Sequence, residues 1–163
     1  MEIKATISEC TGAAGLTIAA SPDGDEYTTI MYEPSNNTLL VERLHSSNIV
    51  EFNNVTIQGY FVPYVMASSG KAEEITMDVF IDGSLLEIFV NERFAMSTRI
   101  YPSKECSTGY GVYVAEGGSA TFSSIEAWIG LKNVWPERPM NSSSELVWDT
   151  AAETANYTWW TGN

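Results

Sequence analysis

An all-β, two-sheet antiparallel β-sandwich of the jelly-roll or concanavalin-like kind, with an irregular C-terminal extension, is the fold this sequence predicts. Three observations predict it. Ten short runs rich in β-branched and aromatic residues follow one another, each is bounded by Gly, Asn, Asp, Pro or Ser, and no apolar repeat of helical period lies between them.

In order, the runs are residues 2–8, 16–20, 27–32, 38–43, 55–62, 75–81, 85–90, 95–100, 110–114 and 120–128. Thr11-Gly12 ends the first run, Ser21-Pro22-Asp23-Gly24 the second, and Pro34-Ser35-Asn36-Asn37 the third, all sequences that bend a chain. Residues 45–54 are polar and read as a loop, and residues 67–74, Ala-Ser-Ser-Gly-Lys-Ala-Glu-Glu, read as a connection between strands. From Asn133 onward the character changes to Trp135-Pro136-Glu137-Arg138-Pro139, then Asn141-Ser142-Ser143-Ser144 and a Trp-bearing tail. The expected organisation is one sandwich module over residues 1–130 and an extension over 131–163, packed on the sandwich or partly flexible.

Asp82-Gly83 reads as the centre of a two-residue type I′ turn, whose central positions both need φ > 0. That register sets Ile81 opposite Ser84, Val79 opposite Leu86 and Asp78 opposite Glu87. Ile75, Met77, Val79, Ile81, Leu86, Ile88 and Val90 then form one apolar face. The other face carries Thr76, Asp78, Phe80, Leu85, Glu87 and Phe89, with two carboxylates face to face in need of a cation. An odd-numbered loop at Asn91-Glu92-Arg93 brings Ser97, Arg99 and Tyr101 to that same face. A carboxylate, a guanidinium and a tyrosine ring together suit a sugar, which offers vicinal hydroxyls and a C–H face. The plainer reading of the same residues is an ion pair that satisfies polar groups beside a loop.

Composition limits the partners. With 21 acidic and 8 basic residues the chain carries a formal charge of −13, which repels nucleic acid and anionic membrane surfaces. A neutral sugar is indifferent to it. Cys10 and Cys106 match no metal-ligand spacing, and the one histidine, His45, completes no zinc site, so neither a metal nor another cofactor is expected. The two cysteines are either a disulfide or two free thiols. Four Asn-x-Ser/Thr sequons, at Asn36, Asn54, Asn141 and Asn156, are candidate N-glycosylation sites and favour an extracellular protein. No apolar run approaches the roughly 20 residues that span a bilayer.

The run Ile81-Asp82-Gly83-Ser84-Leu85-Leu86-Glu87-Ile88-Phe89-Val90-Asn91, followed by Ser97-Thr98-Arg99-Ile100-Tyr101-Pro102, resembles the recurring DxSxxExFxN and TxRxYP pattern of the C-terminal β-sandwich module of glycoside hydrolase family 32, the invertase, inulinase and fructanase family. Leu39-Leu40-Val41-Glu42-Arg43 with Ser46-Ser47 is similar to that family's acidic-Arg-Ser strand, and Ala127-Trp128 to its closing strand. Residues 135–139 resemble extensions of fungal members.

This resemblance implies a non-catalytic module. The family's catalytic motifs belong to a separate five-bladed propeller, and its Asn-Asp-Pro-Asn-Gly and Arg-Asp-Pro motifs do not occur here. Glu9-Cys10 and Glu105-Cys106 match the family's Glu-Cys pair but lack its flanking Trp and Pro. Related modules of carbohydrate-binding module family 66 bind the terminal fructose of fructans. By that likeness Glu87, Arg99 and Tyr101 are the first candidates for a sugar site, with Asp82, Glu42 and Arg43 second. Expected partners are a fructose-containing oligo- or polysaccharide, and a family 32 propeller domain or a second copy of the chain. The alternatives are a structural module that stabilises or oligomerises with a propeller without binding sugar, and a stand-alone secreted lectin-like protein.

Overall fold

Most of the strand-forming runs alternate, and the central ones bury one face. The computed structural model describes residues 1–52 and 55–131. Ten strands are present among them: β1 (Glu2–Cys10), β2 (Ala14–Ala20), β3 (Thr28–Glu33), β4 (Thr38–Glu42), β5 (Ile57–Tyr60), β6 (Ile75–Asp82), β7 (Leu85–Val90), β8 (Phe94–Arg99), β9 (Gly109–Val114) and β10 (Ala120–Trp128). All ten expected runs became strands, with ends shifted by a residue or two. A 3-10 turn, Val50–Phe52, interrupts the expected 45–54 loop. The 62–74 connection is folded back on itself by a Val65–Ala72 bridge.

The strands form two antiparallel five-stranded sheets, ordered β10-β1-β6-β7-β8 and β5-β4-β3-β2-β9. Ile3, Ala5, Ile7, Met77, Val79, Leu86, Ile88 and Val90 from the first meet Leu16, Ile18, Ile30, Leu39 and Val41 from the second in one core. Most of these side chains are fully buried, each stabilising the fold by about 1.5–3 kcal/mol relative to exposure. Met1–Ile129 forms one compact unit.

The β6–β7 hairpin corrects the expected register. Asp82 pairs with Leu85, Phe80 with Glu87, and Asp78 with Phe89. The turn is therefore Gly83-Ser84, and Gly83 alone takes a positive φ, 55°, as a type II′ turn requires of its first central residue. Each residue's partner moves by two positions, Val79 facing Ile88 rather than Leu86, so the apolar face is the expected one, but Asp78 and Glu87 no longer face each other. The next loop is Asn91-Glu92-Arg93, with Val90 opposite Phe94 and Glu87 opposite Ser97, which is the odd-numbered loop expected.

Two backbone details shape the second sheet. A bulge in β2 lets Thr17 pair with Gly111 and Ala20 with Gly109, and Ala19 inside it takes φ 47°. A Cβ on Gly15 would lie 2.0 Å from the Ile30 carbonyl oxygen, so only glycine lets β2 and β3 approach there.

Cys10 and Cys106 are both free thiols, so the disulfide is not formed. The reason is geometric. The Cys10 thiol lies near Glu33 at the end of β3, whereas the loop holding Cys106 folds over Glu26, which precedes the start of β3. Glu33 lies seven steps along an extended chain from Glu26, roughly 20 Å. Burial and the Glu33 carboxylate push the Cys10 thiol's pKa above its usual value.

Candidate functional site

The outward face of the β10-β1-β6-β7-β8 sheet follows from the pairing. One row across it reads Trp128, Glu2, Phe80, Glu87, Ser97, and the next reads Glu126, Lys4, Asp78, Phe89, Ala95. Asp82, Leu85 and Arg99 form a third row at the Gly83-Ser84 turn. Rings line the middle: Phe80 and Phe89 meet edge-to-face with centroids 6.0 Å apart, and Phe89 is 40% exposed.

Charge on this face is divided between Lys4, set between Glu126 and Asp78 in register, and Arg99 near the turn. Among the described residues no ion pair joins Arg99 to Glu87. Arg99 Nη1 instead donates to Ser84 Oγ at 2.7 Å. Its remaining donors and the half-exposed Glu87 carboxylate stay available on one surface. Asp78 Oδ1 is buried and accepts no hydrogen bond among the described residues. A groove of about 460 Å³ runs beside it, lined by Lys4, Thr6, Thr76, Asp78 and Phe89. Hydroxyl-bearing ligands suit such a surface: carboxylates accept, Arg and Lys donate, and exposed rings contact C–H faces.

Of the six candidate residues, the register brings Asp82, Glu87 and Arg99 together. Tyr101 lies past the end of β8, where its ring packs on Phe52 with centroids 5.1 Å apart, so the strand register does not set it beside Glu87. Glu42 lies in the other sheet, opposite Thr29. Arg43 is buried at 9% exposure, and its guanidinium reaches across the sandwich to the Arg99 carbonyl at 3.2 Å and the Val55 carbonyl at 3.0 Å. Burial lowers its pKa from the usual guanidinium range. Arg43 therefore ties the end of β4 to the end of β8 and holds the backbone that carries Arg99. Replacing it with alanine strips two carbonyls of their donors, and urea denaturation of Arg43→Ala is expected to show a loss of about 2 kcal/mol.

Two further groups organise the neighbouring loops. Glu26 is completely buried and accepts from the backbone N–H of Asn48 at 2.7 Å, Ser103 at 2.9 Å and Lys104 at 3.1 Å, and from the Ser103 and Ser107 hydroxyls. Burial alone would raise its pKa, but the Ser103 and Ser107 hydroxyls and the Ser103 and Asn48 amides bring it down to about 2. Lys104 adds ion pairs to Asp23 at 2.6 Å and Asp25 at 2.9 Å. Elsewhere Arg93 pairs with Glu73, donates to the Val62 carbonyl at 3.1 Å and lies over the Tyr64 ring at 3.9 Å. Neither residue was legible from spacing, because each draws its partners from loops far apart in the chain.

His45 is exposed and stacks on Tyr27 with centroids 5.0 Å apart. Asn36 is exposed in the β3–β4 turn. Asn54, Asn141, Asn156, the tryptophans from Trp135 onward and the expected packing of the 131–163 extension lie outside the described residues.

The family model "Glycosyl hydrolases family 32 C terminal" matches residues 1–129. The chain belongs to this family. The module is 29% identical over 136 residues to a levanase of Bacillus subtilis (strain 168), which covers 83% of this chain and 18% of the levanase. Its fold is similar to that of a β-fructofuranosidase of Aspergillus kawachii complexed with glycerol, at TM-score 0.73 and 27% identity over 84% of this chain and 24% of that one. A fructosyltransferase from A. japonicus gives TM-score 0.70 and 26% identity, covering 84% of this chain and 23% of that one. The carbohydrate-binding module CBM66 from Bacillus subtilis shares the fold at TM-score 0.53 and 12% identity, covering 76% of this chain and 71% of that one. The module thus spans less than a quarter of the length of the enzymes it matches.

Proposed function

We propose that the module is a non-catalytic, carbohydrate-binding accessory domain of a fructan- or sucrose-active family 32 hydrolase, and that it binds fructose-type sugars on the outward face around Asp82, Glu87 and Arg99. The observation that carries this reading is that Glu87 and Arg99 share one exposed face without pairing to each other. Membership of the family and likeness to a levanase, a β-fructofuranosidase and a fructosyltransferase supply the sugar class. An open sheet face excludes little water, which suits binding better than hydrolysis. Titration calorimetry with levan, inulin and unrelated glycans is the test: saturable heat with the fructans supports the reading, and no heat with any glycan rejects it.

Secretion and glycosylation belong to the same proposal. Asn36, exposed on its turn, is the sequon to examine by peptide mass spectrometry after glycosidase treatment.

A second reading has its own observation. Val112 and Val114 of β9 pair with core residues Leu16 and Ala14, and Ile125 of β10 pairs with Ala5, so all three point inward between the sheets. They are nonetheless 51%, 36% and 47% exposed. Such an apolar seam fits contact with a propeller domain or a second copy. Separately expressed family 32 propeller is expected to co-elute with the module on size exclusion, and the double variant Val112→Asp with Ile125→Asp to abolish co-elution or self-association. A monodisperse monomer that ignores the propeller contradicts this reading.

A further inference from the structure

A second groove, of about 580 Å³, whose lining does not include Arg99, lies between the end of β1, the β3–β4 turn and the folded-back 62–75 segment. Its volume falls within the range of small-molecule sites, roughly 300–1,000 Å³. Pro34, Val62, Pro63 and Val65 give it an apolar side. Tyr32, Asn37, Glu9 and Lys71 give it a hydrogen-bonding side.

Those polar groups are incompletely used. The Tyr32 hydroxyl, on an otherwise buried ring, donates to Asn37 Oδ1 at 3.0 Å. Among the described residues nothing accepts from the Asn37 amide nitrogen. Glu9 and Lys71 meet only at 3.8 Å and are each more than 75% exposed at the rim. Two opposite charges at that rim favour neither an anion nor a cation, and the chain's charge of −13 further disfavours anions. A neutral ligand with adjacent hydroxyls and a C–H face matches both sides of the groove.

Its outer wall is fixed in advance. Arg93 ties Glu73 to the Val62 carbonyl, Glu73 accepts from the Tyr64 N–H at 2.6 Å, and the Val65–Ala72 bridge closes the segment. A preformed wall spares a ligand the cost of ordering it.

We propose that this groove is a separate binding site for a single neutral sugar residue, held by Asn37, Tyr32, Glu9 and Lys71. The site is independent of Arg99. Cys10 lies within the groove and Cys106 is exposed elsewhere, so the two thiols report on occupancy and on general reactivity respectively.

The test uses the whole chain with fructose, glucose, mannose and N-acetylglucosamine as probes. Nuclear magnetic resonance follows the Asn37 side-chain amide, and maleimide modification follows both thiols. At least one sugar is expected to shift the Asn37 signal saturably with a Kd of about 1 mM or tighter, and to slow modification of Cys10 at least threefold while Cys106 is unaffected. Asn37→Gly keeps the left-handed backbone, φ 54°, and removes the amide, and Lys71→Ala alters only an exposed side chain. Each should weaken binding at least fivefold, and Arg99→Ala should leave it unchanged. No saturable shift from any sugar at about 10 mM, protection of Cys10 that survives both groove variants, or loss of protection in Arg99→Ala would each overturn the proposal. Because Arg99→Ala acts on the outward face alone, failure of that face and failure of this groove give different patterns.

Discussion

Glu26→Ala is expected to lower the unfolding free energy by about 4 kcal/mol, the largest stability effect of any substitution proposed for this module. Five donor groups of Asn48, Ser103, Lys104 and Ser107 make six hydrogen bonds to this one buried carboxylate, the Ser103 amide being shared between its two oxygens. Removing it leaves backbone amides and hydroxyls from two loops, the buried Ser107 hydroxyl among them, without their acceptor. Urea denaturation followed by intrinsic fluorescence measures the loss.

The same carboxylate gives a pH signature. Its pKa is lowered from 4.5 to about 2 in the folded chain. Between those values the unfolded chain binds the proton and the folded chain does not. Its contribution is therefore complete above about pH 4.5 and is lost as pH falls towards 2. In that window the wild type loses up to about 1.4 kcal/mol per pH unit from this group. Glu26→Gln removes that part of the slope. The Asp23 carboxyl is also held below its usual range, first by the Lys104 hydrogen bond and then by Ser21, so a residual slope persists in the variant. An unchanged pH profile in Glu26→Gln would show that the carboxylate is not what fastens the loops.

Arg99→Ala is expected to reduce affinity for levan or inulin at least tenfold, and Glu87→Ala by a similar factor, with thermal unfolding of both within a few degrees of wild type. Arg99 is exposed and, among the described residues, its one side-chain hydrogen bond is to Ser84 Oγ, so the fold loses little when it is truncated. A ligand hydroxyl facing a guanidinium gains a charge-assisted hydrogen bond, worth about 1.5–3 kcal/mol, which corresponds to the tenfold loss or more. Arg99→Lys tests geometry: lysine keeps the charge but not the planar fork, and affinity should recover only in part. Arg43→Ala serves as a contrast. It weakens the fold first, and binding only as the Arg99 backbone shifts.

These expectations rest on features of unequal visibility in the chain. All ten strands were legible because β-branched and aromatic runs end at turn residues, and the face of the β6–β7 hairpin followed from simple alternation. Its register did not. Asp82-Gly83 and Gly83-Ser84 both place Gly83 where a positive φ is needed, and going from one to the other moves each residue's partner by two positions. The apolar face survives that shift, so hydrophobic pattern alone cannot choose between the turns. Glu87 and Arg99 were legible as neighbours on one face because parity is insensitive to it. The Asp78–Glu87 apposition depended on register and disappeared. Arg43 was a second-rank candidate for the sugar site, but sequence does not show that its side chain is buried between the ends of β4 and β8. Glu26 and Arg93 are organised by contacts across 22–81 and 20–31 residues respectively, which no local pattern encodes.

Side by side, calorimetric titrations of wild type and Arg99→Ala with levan test the central claim most directly. Saturable heat for the wild type, with at least a tenfold weaker Kd for a folded Arg99→Ala, is the predicted result. Equal binding by both proteins, or no binding by the wild type, would contradict it.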